Sequence, residues 1–265
     1  MDARNIRYVG ARTLFVEKTS SKLVMKRILK TAQVSTAPWF ESVEEVKTAM
    51  NVGKKQGSVF PLIVKTDRGS GSEGLQETSV VNSVAELETE WKRMEEIKRG
   101  VFAEKFIRGR EFTVLVTGRG GNLEGLNFNV NAGVKVFPPV ERVFPDFSGF
   151  KTDDQYWHPA YHHQECPEEL RGDMVALVGA AFEALEGNAV ARVDVRLDVD
   201  TSTLYVLDVN TYPCFGYLDS DTIGMASVLK AGNYPLDGFL KCLFADADCV
   251  FGEDPAAERS TTAAK

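Results

Sequence analysis

The chain has 265 residues, 43% of them hydrophobic, and a net charge of −7 from 31 basic and 38 acidic side chains, an ordinary globular composition with room for one large or two small domains. The acidic balance, with no block of Lys and Arg, speaks against nucleic acid as the main partner. No apolar run reaches the roughly 18 residues of a membrane span, and the N-terminus lacks an apolar signal core.

Four cysteines, Cys166, Cys214, Cys242 and Cys249, form no CxxC pair, which points to reduced thiols in a cytoplasmic protein. Ser20 and Ser21 precede KLVMKRILKTAQ, a helix with Leu23, Ile28 and Leu29 inward. APW ends that unit and starts a short strand, and Ser42 begins a second helix, SVEEVKTAM. SVFPLIVK (58–65) reads as a buried strand, followed by the loop TDRGSGSEG and a short strand, LQETSVV. Ser83 and Glu86 form a capping box for the helix SVAELETEWKRMEEIK, which Gly100 stops. FAEKFI and EFTVLVTG are expected to be strands of a hairpin joined by RGR, and LEGLNFNV a further strand. Residues 133–166, rich in Pro, Phe and Asp, read as one long irregular segment, usually a functional feature. PEELRGDMVALVGAAFEALEG is an amphipathic helix with Gly187 past its end. Two more strands follow, then helices to about 245. Helices mixed with antiparallel hairpins, rather than βαβ alternation, give an α+β class.

The last strand pair carries chemistry. In VARVDVRL, side chains alternate, so Val193, Val195 and Leu197 share one face and Arg192, Asp194 and Arg196 the other. In TLYVLDVN, Leu204, Val206, Asp208 and Asn210 are expected on one face. A turn centred at Thr201 sets Asp194 opposite Asp208 and Arg192 opposite Asn210. Opposed like charges destabilise a sheet, and a hard divalent cation between them would reverse that. The plain alternative is a wet face of a one-sided sheet.

TDRGSGSEG follows a strand, and its glycines let backbone N–H groups turn toward an anion; a plain hairpin tip is the alternative. Lys65 ends the strand before it, a good position for a phosphate-directed cation, and Lys22 is a second candidate. Glu104 and Glu111, at the two ends of FAEKFIRGRE, suit recognition of a purine amine and a ribose hydroxyl beside Phe106; surface ion pairs are the alternative. His158, His162, His163 and Cys166 have a spacing that could bind zinc, but no second ligand cluster lies nearby.

The ordered set SKLVMKRIL with APW, LIVKTDRGSGSEGL, AEKFIRGREFTV, ARVDVRLD and LDVNTYP resembles the ATP-grasp superfamily, most closely the D-alanine–D-alanine ligase group. Each motif alone is weak, and five in order are specific. The resemblance implies two α+β subdomains with antiparallel sheets clamping the nucleotide. It implies a remnant of a preceding domain at 1–20, a central subdomain with the flap at 21–107, a C-terminal subdomain with the metal site at 108–250, and a disordered tail at 251–265. Lys22 and Lys65 match phosphate lysines, and Ser70, Gly71 and Ser72 a flap over the β- and γ-phosphates. Glu104, Lys105, Phe106 and Ile107 match an adenine-binding segment, Glu111 a ribose carboxylate, and Leu207 a purine-packing side chain. Asp194, Asp208 and Asn210 match ligands of two Mg²⁺ (or Mn²⁺) ions. Arg192 and Ser72 match catalytic positions, Arg192 holding an acyl phosphate. The implied reaction is ATP-dependent joining of a carboxylate to an amine, both from amino-acid-like substrates. The alternative is a degenerate domain that binds Mg·ATP as a regulatory or interaction module without turnover.

The chain departs from that pattern in four places. Family members carry a further domain ahead of the position of Lys22, so the expectation is an incomplete chain, a homodimer or partner that supplies that domain, or a first substrate held differently. Tyr156, followed by Trp157, stands where a loop lysine is usual. Cys214 replaces the glycine of NTxPG. Asp219 and Asp221 occupy the region of a Ser-Leu pair that receives the second substrate's carboxylate.

Overall fold

The computed structural model describes residues 8–52, 59–118, 129–131, 134–144, 161–213, 224–231, 233 and 235–251. Two helices come first, α1 (Thr13–Thr19) and α2 (Lys22–Thr31). Ser21 caps α2 by accepting from the Val24 amide at 3.2 Å, the role its short hydroxyl side chain predicts.

A four-stranded sheet has the order β1–β4–β2–β3, with β1 at Trp39–Phe40, β2 at Leu62–Thr66, β3 at Val80–Val81 and β4 at Val101–Lys105. Helices α3 (Val43–Asn51) and α4 (Val84–Glu95) cover it, burying Val46, Leu62, Val64, Leu87, Met94 and Ala103 in one cluster. The expected Ser83–Glu86 cap is present at the start of α4, with the Glu86 amide donating to Ser83 Oγ at 3.3 Å. Before it, LQETSVV forms a 3₁₀ turn at Glu77–Ser79 and only two strand residues, not a whole strand.

The second sheet has seven strands. Its centre is β5 (Gly109–Thr117), paired along its length with β10 (Ala191–Asp198), which pairs with β11 (Leu204–Asn210). The other edge of β5 divides between β7 (Val134–Val136), which carries β6 (Asn129–Asn131), and β8 (Val140–Val143), which carries β9 (His162–Glu165). One face packs on α5 (Glu168–Ala184) and on α1 and α2, with Phe112, Val114, Val116, Val193, Val195 and Leu197 in the same cluster as Phe15, Met25 and Phe182. On the opposite face, Leu115 and Val140 meet α6 (Gly224–Ala231) and α7 (Leu236–Phe251).

Three expectations are corrected. FAEKFI and EFTVLVTG do not form a hairpin: β4 pairs with β1 and β2, and β5 with β7, β8 and β10. The connection between them crosses from one sheet to the other. Gly109 makes the entry to β5, because a Cβ there would meet the Leu197 carbonyl oxygen at 1.8 Å. The segment at 133–166 is not wholly irregular but contains β7, β8 and β9, each too short for a period to show. Finally, β11 carries a bulge. Asp194 faces Asp208 but Val195 faces Val206, so Leu207 is the extra residue. Val206 therefore turns into the core with Val209, away from Asp208 rather than beside it.

The last helix runs to Phe251, past the expected end near 245. Residues 123–128 of LEGLNFNV, residue 58 of SVFPLIVK, residues 1–7 and the tail at 252–265 lie outside the described residues.

Candidate active site

Between the sheets lies a cavity of about 510 Å³, a volume typical of small-molecule sites. All fifteen residues that the sequence assigned to the nucleotide, its magnesium or catalysis line it. They enter from four places: the start of α2, the loop after β2, the β4–β5 connection, and the β10–β11 hairpin.

The hairpin forms the floor. Arg192 pairs with Asn210 and Asp194 with Asp208 across the strands, the register expected from the turn. Arg192 holds Asp194 through two bonds of 3.1 Å. Thr113 on β5 donates to Asp194 Oδ1 at 2.8 Å. Burial works to raise the Asp194 carboxyl, but Arg192 and Arg142 outweigh it and hold it below the usual carboxylate range. Asp208 Oδ2 lies 4.0 Å from Lys22 Nζ, and Asn210 Oδ1 accepts from the Tyr212 amide at 3.0 Å. The bulge lets Leu207 and Asp208, neighbours in sequence, both line the cavity.

The Gly/Ser loop after β2 is tied at its base. Lys22 Nζ donates to the Gly69 carbonyl at 2.5 Å. Asp67 accepts from Ser21 Oγ at 2.8 Å and from the Leu23 amide at 2.9 Å, so a carboxylate sits at the α2 N-terminus, where the helix dipole favours it. Gly69 has no room for a side chain, since a Cβ would lie 2.0 Å from Thr66 Oγ1. Gly71 and Ser72 take φ of 63° and 65°, turning the backbone at the tip, and the Gly74 carbonyl accepts from Arg93 at 2.6 Å.

At the β4 end, Glu104 is 1% exposed and pairs with Lys65 at 2.5 Å and Lys26 at 2.6 Å. Burial alone would raise its carboxyl, yet the two ammonium groups hold it at about 2. Lys26, fully buried, also donates to Thr36 Oγ1 at 2.9 Å and the Ala37 carbonyl at 3.2 Å. Lys105 donates to the Phe60 carbonyl at 2.6 Å. Phe106 lies against Arg196, its ring centroid 5.6 Å from the guanidinium carbon, and the Ile107 carbonyl accepts from Arg196 at 3.1 Å.

Sequence reasoning gave no part in the nucleotide site to Arg142, Tyr161, His163 or Arg196, which line the cavity, nor to the buried Lys26. Glu111 sits between Arg196, at 2.8 Å, and Arg142. Arg142 packs on Tyr161, 5.2 Å from its ring centre, and Tyr161 packs edge-on against His163. Alternation had put Arg196 on the right face; Arg142, Tyr161 and His163 fall in the stretch read as irregular. Lys26, four residues after Lys22, shows no sequence sign of its buried partner. Tyr156, Trp157, His158, Cys214, Asp219 and Asp221 lie outside the described residues.

Among the described residues no cluster of three or more His, Cys, Asp or Glu makes a complete metal cage. Asp194, Asp208 and Asn210 offer two carboxylates and an amide. Such a set suits Mg²⁺, which is usually bound by one or two carboxylates together with substrate phosphates and water. The donors fit a metal that arrives with a polyphosphate.

The D-ala D-ala ligase C-terminus family model matches residues 28–220, starting just after Lys22. A D-alanine–D-alanine ligase of Nitrosococcus oceani is 28% identical over 231 residues, 86% of this chain and 65% of the relative; the chain thus spans just under two thirds of that protein. The solved D-alanine–D-alanine ligase of Coxiella burnetii superposes with a TM-score of 0.68 at 19% identity, over 99% of this chain and 67% of the other. The Bacillus anthracis D-alanine–D-alanine ligase solved with ATP gives 0.63 at 21% identity, over 92% of this chain and 72% of the other. With its cavity clamped between two antiparallel sheets and a family match over most of its length, the chain belongs to the D-alanine–D-alanine ligase C-terminal family and has its α+β ATP-grasp fold.

Proposed function

We propose that this chain is the catalytic part of an ATP-dependent, ADP-forming ligase that joins the carboxylate of one amino-acid-like substrate to the amine of another. The observation that carries the reading is the hairpin register: Asp194 opposite Asp208, and Arg192 opposite Asn210, on a cavity floor that also receives Lys22, Lys65 and the Gly/Ser flap. The names of the relatives support it, as does the ATP bound to the Bacillus anthracis protein.

In this reading Glu104 accepts the purine amine, Phe106, Ile107 and Leu207 wall the base, Lys105 flanks it, and Glu111 accepts from the ribose. Lys22 and Lys65 balance phosphate charge, and Ser70, Gly71 and Ser72 close over the terminal phosphates, with the Ser72 hydroxyl toward the transferred group. Asp194, Asp208 and Asn210 would hold two Mg²⁺ or Mn²⁺ ions, whose chemistry is to neutralise phosphoryl oxygens. The γ-phosphoryl group passes to a carboxylate oxygen of the first substrate and ADP leaves. The amine of the second attacks the acyl carbon, phosphate leaves, and the amine proton goes to solvent. Arg192 holds the negative charge that grows on the acyl oxygens, a role that typically supplies about 3–4 kcal/mol.

The test is ADP release by the full chain with Mg·ATP and panels of D- and L-amino acids. Amino-acid-stimulated ADP release matched by amide product supports the reading. Mg·ATP binding with no stimulated release under any pair would overturn the ligase claim and leave a nucleotide-binding module.

A further inference from the structure

Arg142 has no part in the scheme above, yet it stands at the junction of the two acids that the scheme uses most. It lies on β8 directly opposite Glu111 of β5 and beside His163 of β9. It lines the cavity while only 8% exposed. One terminal nitrogen is spent on Glu111. The other lies 3.6 Å from Asp194 Oδ1, beyond a hydrogen bond. Its Nε is buried with no hydrogen-bond partner among the described residues. The Tyr161 ring packs against the guanidinium and Glu111 anchors it, so its direction is fixed before any ligand arrives.

A buried guanidinium with donors to spare, in a cavity built for a polyanion, is an unfinished contact. Asp194 explains what finishes it. In this state its carboxylate is shared by two guanidiniums, Arg192 and Arg142. A divalent cation arriving alone would have to displace both and would leave two positive side chains facing it. A cation that arrives with phosphate brings the anion that those side chains then need.

We propose that Arg142 is a further phosphate-binding residue for the nucleotide and that, in the empty site, it guards Asp194 so that the divalent cation binds only with its nucleotide. The inference rests on the proposed nucleotide site. It gives Arg142 opposite effects on two ligands: it weakens the bare metal and strengthens the metal–nucleotide complex.

The experiment uses the full chain, Arg142→Met and Arg142→Lys, with two binding measurements that involve no turnover. Mn²⁺ alone is titrated by electron paramagnetic resonance, and Mg·ADP by calorimetry. Glu111 keeps Arg196 in both variants, which supports folding, and Arg142→Lys keeps the charge. Arg142→Met is expected to bind Mn²⁺ alone several-fold more tightly and Mg·ADP roughly tenfold more weakly, the loss of a charge-assisted contact; Arg142→Lys falls between. Two affinities that stay unchanged, or that fall together in both variants, overturn the inference while the wild type still binds Mg·ADP. A wild type that binds no Mg·ADP overturns the nucleotide site itself.

Discussion

The two faces of the seven-stranded sheet are made by alternate residues of the same strands, and they obey opposite rules. On one face Phe112, Val114, Val193 and Val195 are sealed under α5, and each contributes on the order of 1.5–3 kcal/mol by leaving water. On the other, Glu111, Asp194 and Arg196 face the cavity, Thr113 holds Asp194 by a hydrogen bond, and two carboxylates stand opposed across β10 and β11. Stability is collected on odd positions of β10 and put at risk on even ones. Parity along that strand therefore tells which property a substitution will change.

The comparison breaks most sharply at Val193→Asp. It removes a core side chain and buries an unpaired charge, so a loss above about 4–5 kcal/mol is expected, read as loss of soluble, cooperatively melting protein. If the variant melts like the wild type, the apolar face is not the stabilising one. Glu111→Gln comes next. It strips the carboxylate from between two buried arginines, and breaking a buried pair costs about 3–5 kcal/mol, seen as a lower denaturant midpoint. Asp208→Asn sharpens the contrast by reversing its sign. Relief of opposed like charges stabilises by up to about 1 kcal/mol, which raises the Tm by about 2–4 °C. Under the proposed ligase reading ATP turnover, by contrast, falls by about a hundredfold or more. A lower Tm would show that Asp208 is a structural acid.

Acid separates the small sheet in the same way. The Glu104 carboxyl is held at about 2 against an ordinary 4.5, so the unfolded chain binds more protons between those values. Its contribution is present above about pH 4.5 and is lost as pH falls toward 2. Thermal melts across that window should fall less steeply in Glu104→Gln than in the wild type. The smallest effect is expected at Cys166, which is 1% exposed. Burial pushes its thiol up to about 11, so Cys166→Ala should leave the rate of labelling by a disulfide reagent at pH 7 unchanged.

The hairpin that carries the acids was legible because a polar turn cluster fixed its centre and two alternating strands fixed its faces. The bulge was not, since Leu207 breaks no pattern that the eye tests. The crossing at Arg108 was hidden for a different reason. RGR serves equally as a hairpin tip and as a bridge between sheets, and only the partners of β4 and β5 decide. Arg142 escaped notice because β8 offers Val140, Glu141, Arg142 and Val143, one alternation too short to trust. Lys26 read as one more charge on a helix; its burial depends on Glu104, which lies far along the chain.

Leu207 adds a residue to β11 without disturbing what it separates. Deleting it would restore plain alternation, with Val206 and Val209 still inward and Asp208 still across from Asp194. The greasy wall and the acid beside it are thus independent heritable units. In the proposed nucleotide site, a single codon could remove or exchange the apolar surface offered to the base while the opposed acids stay in register.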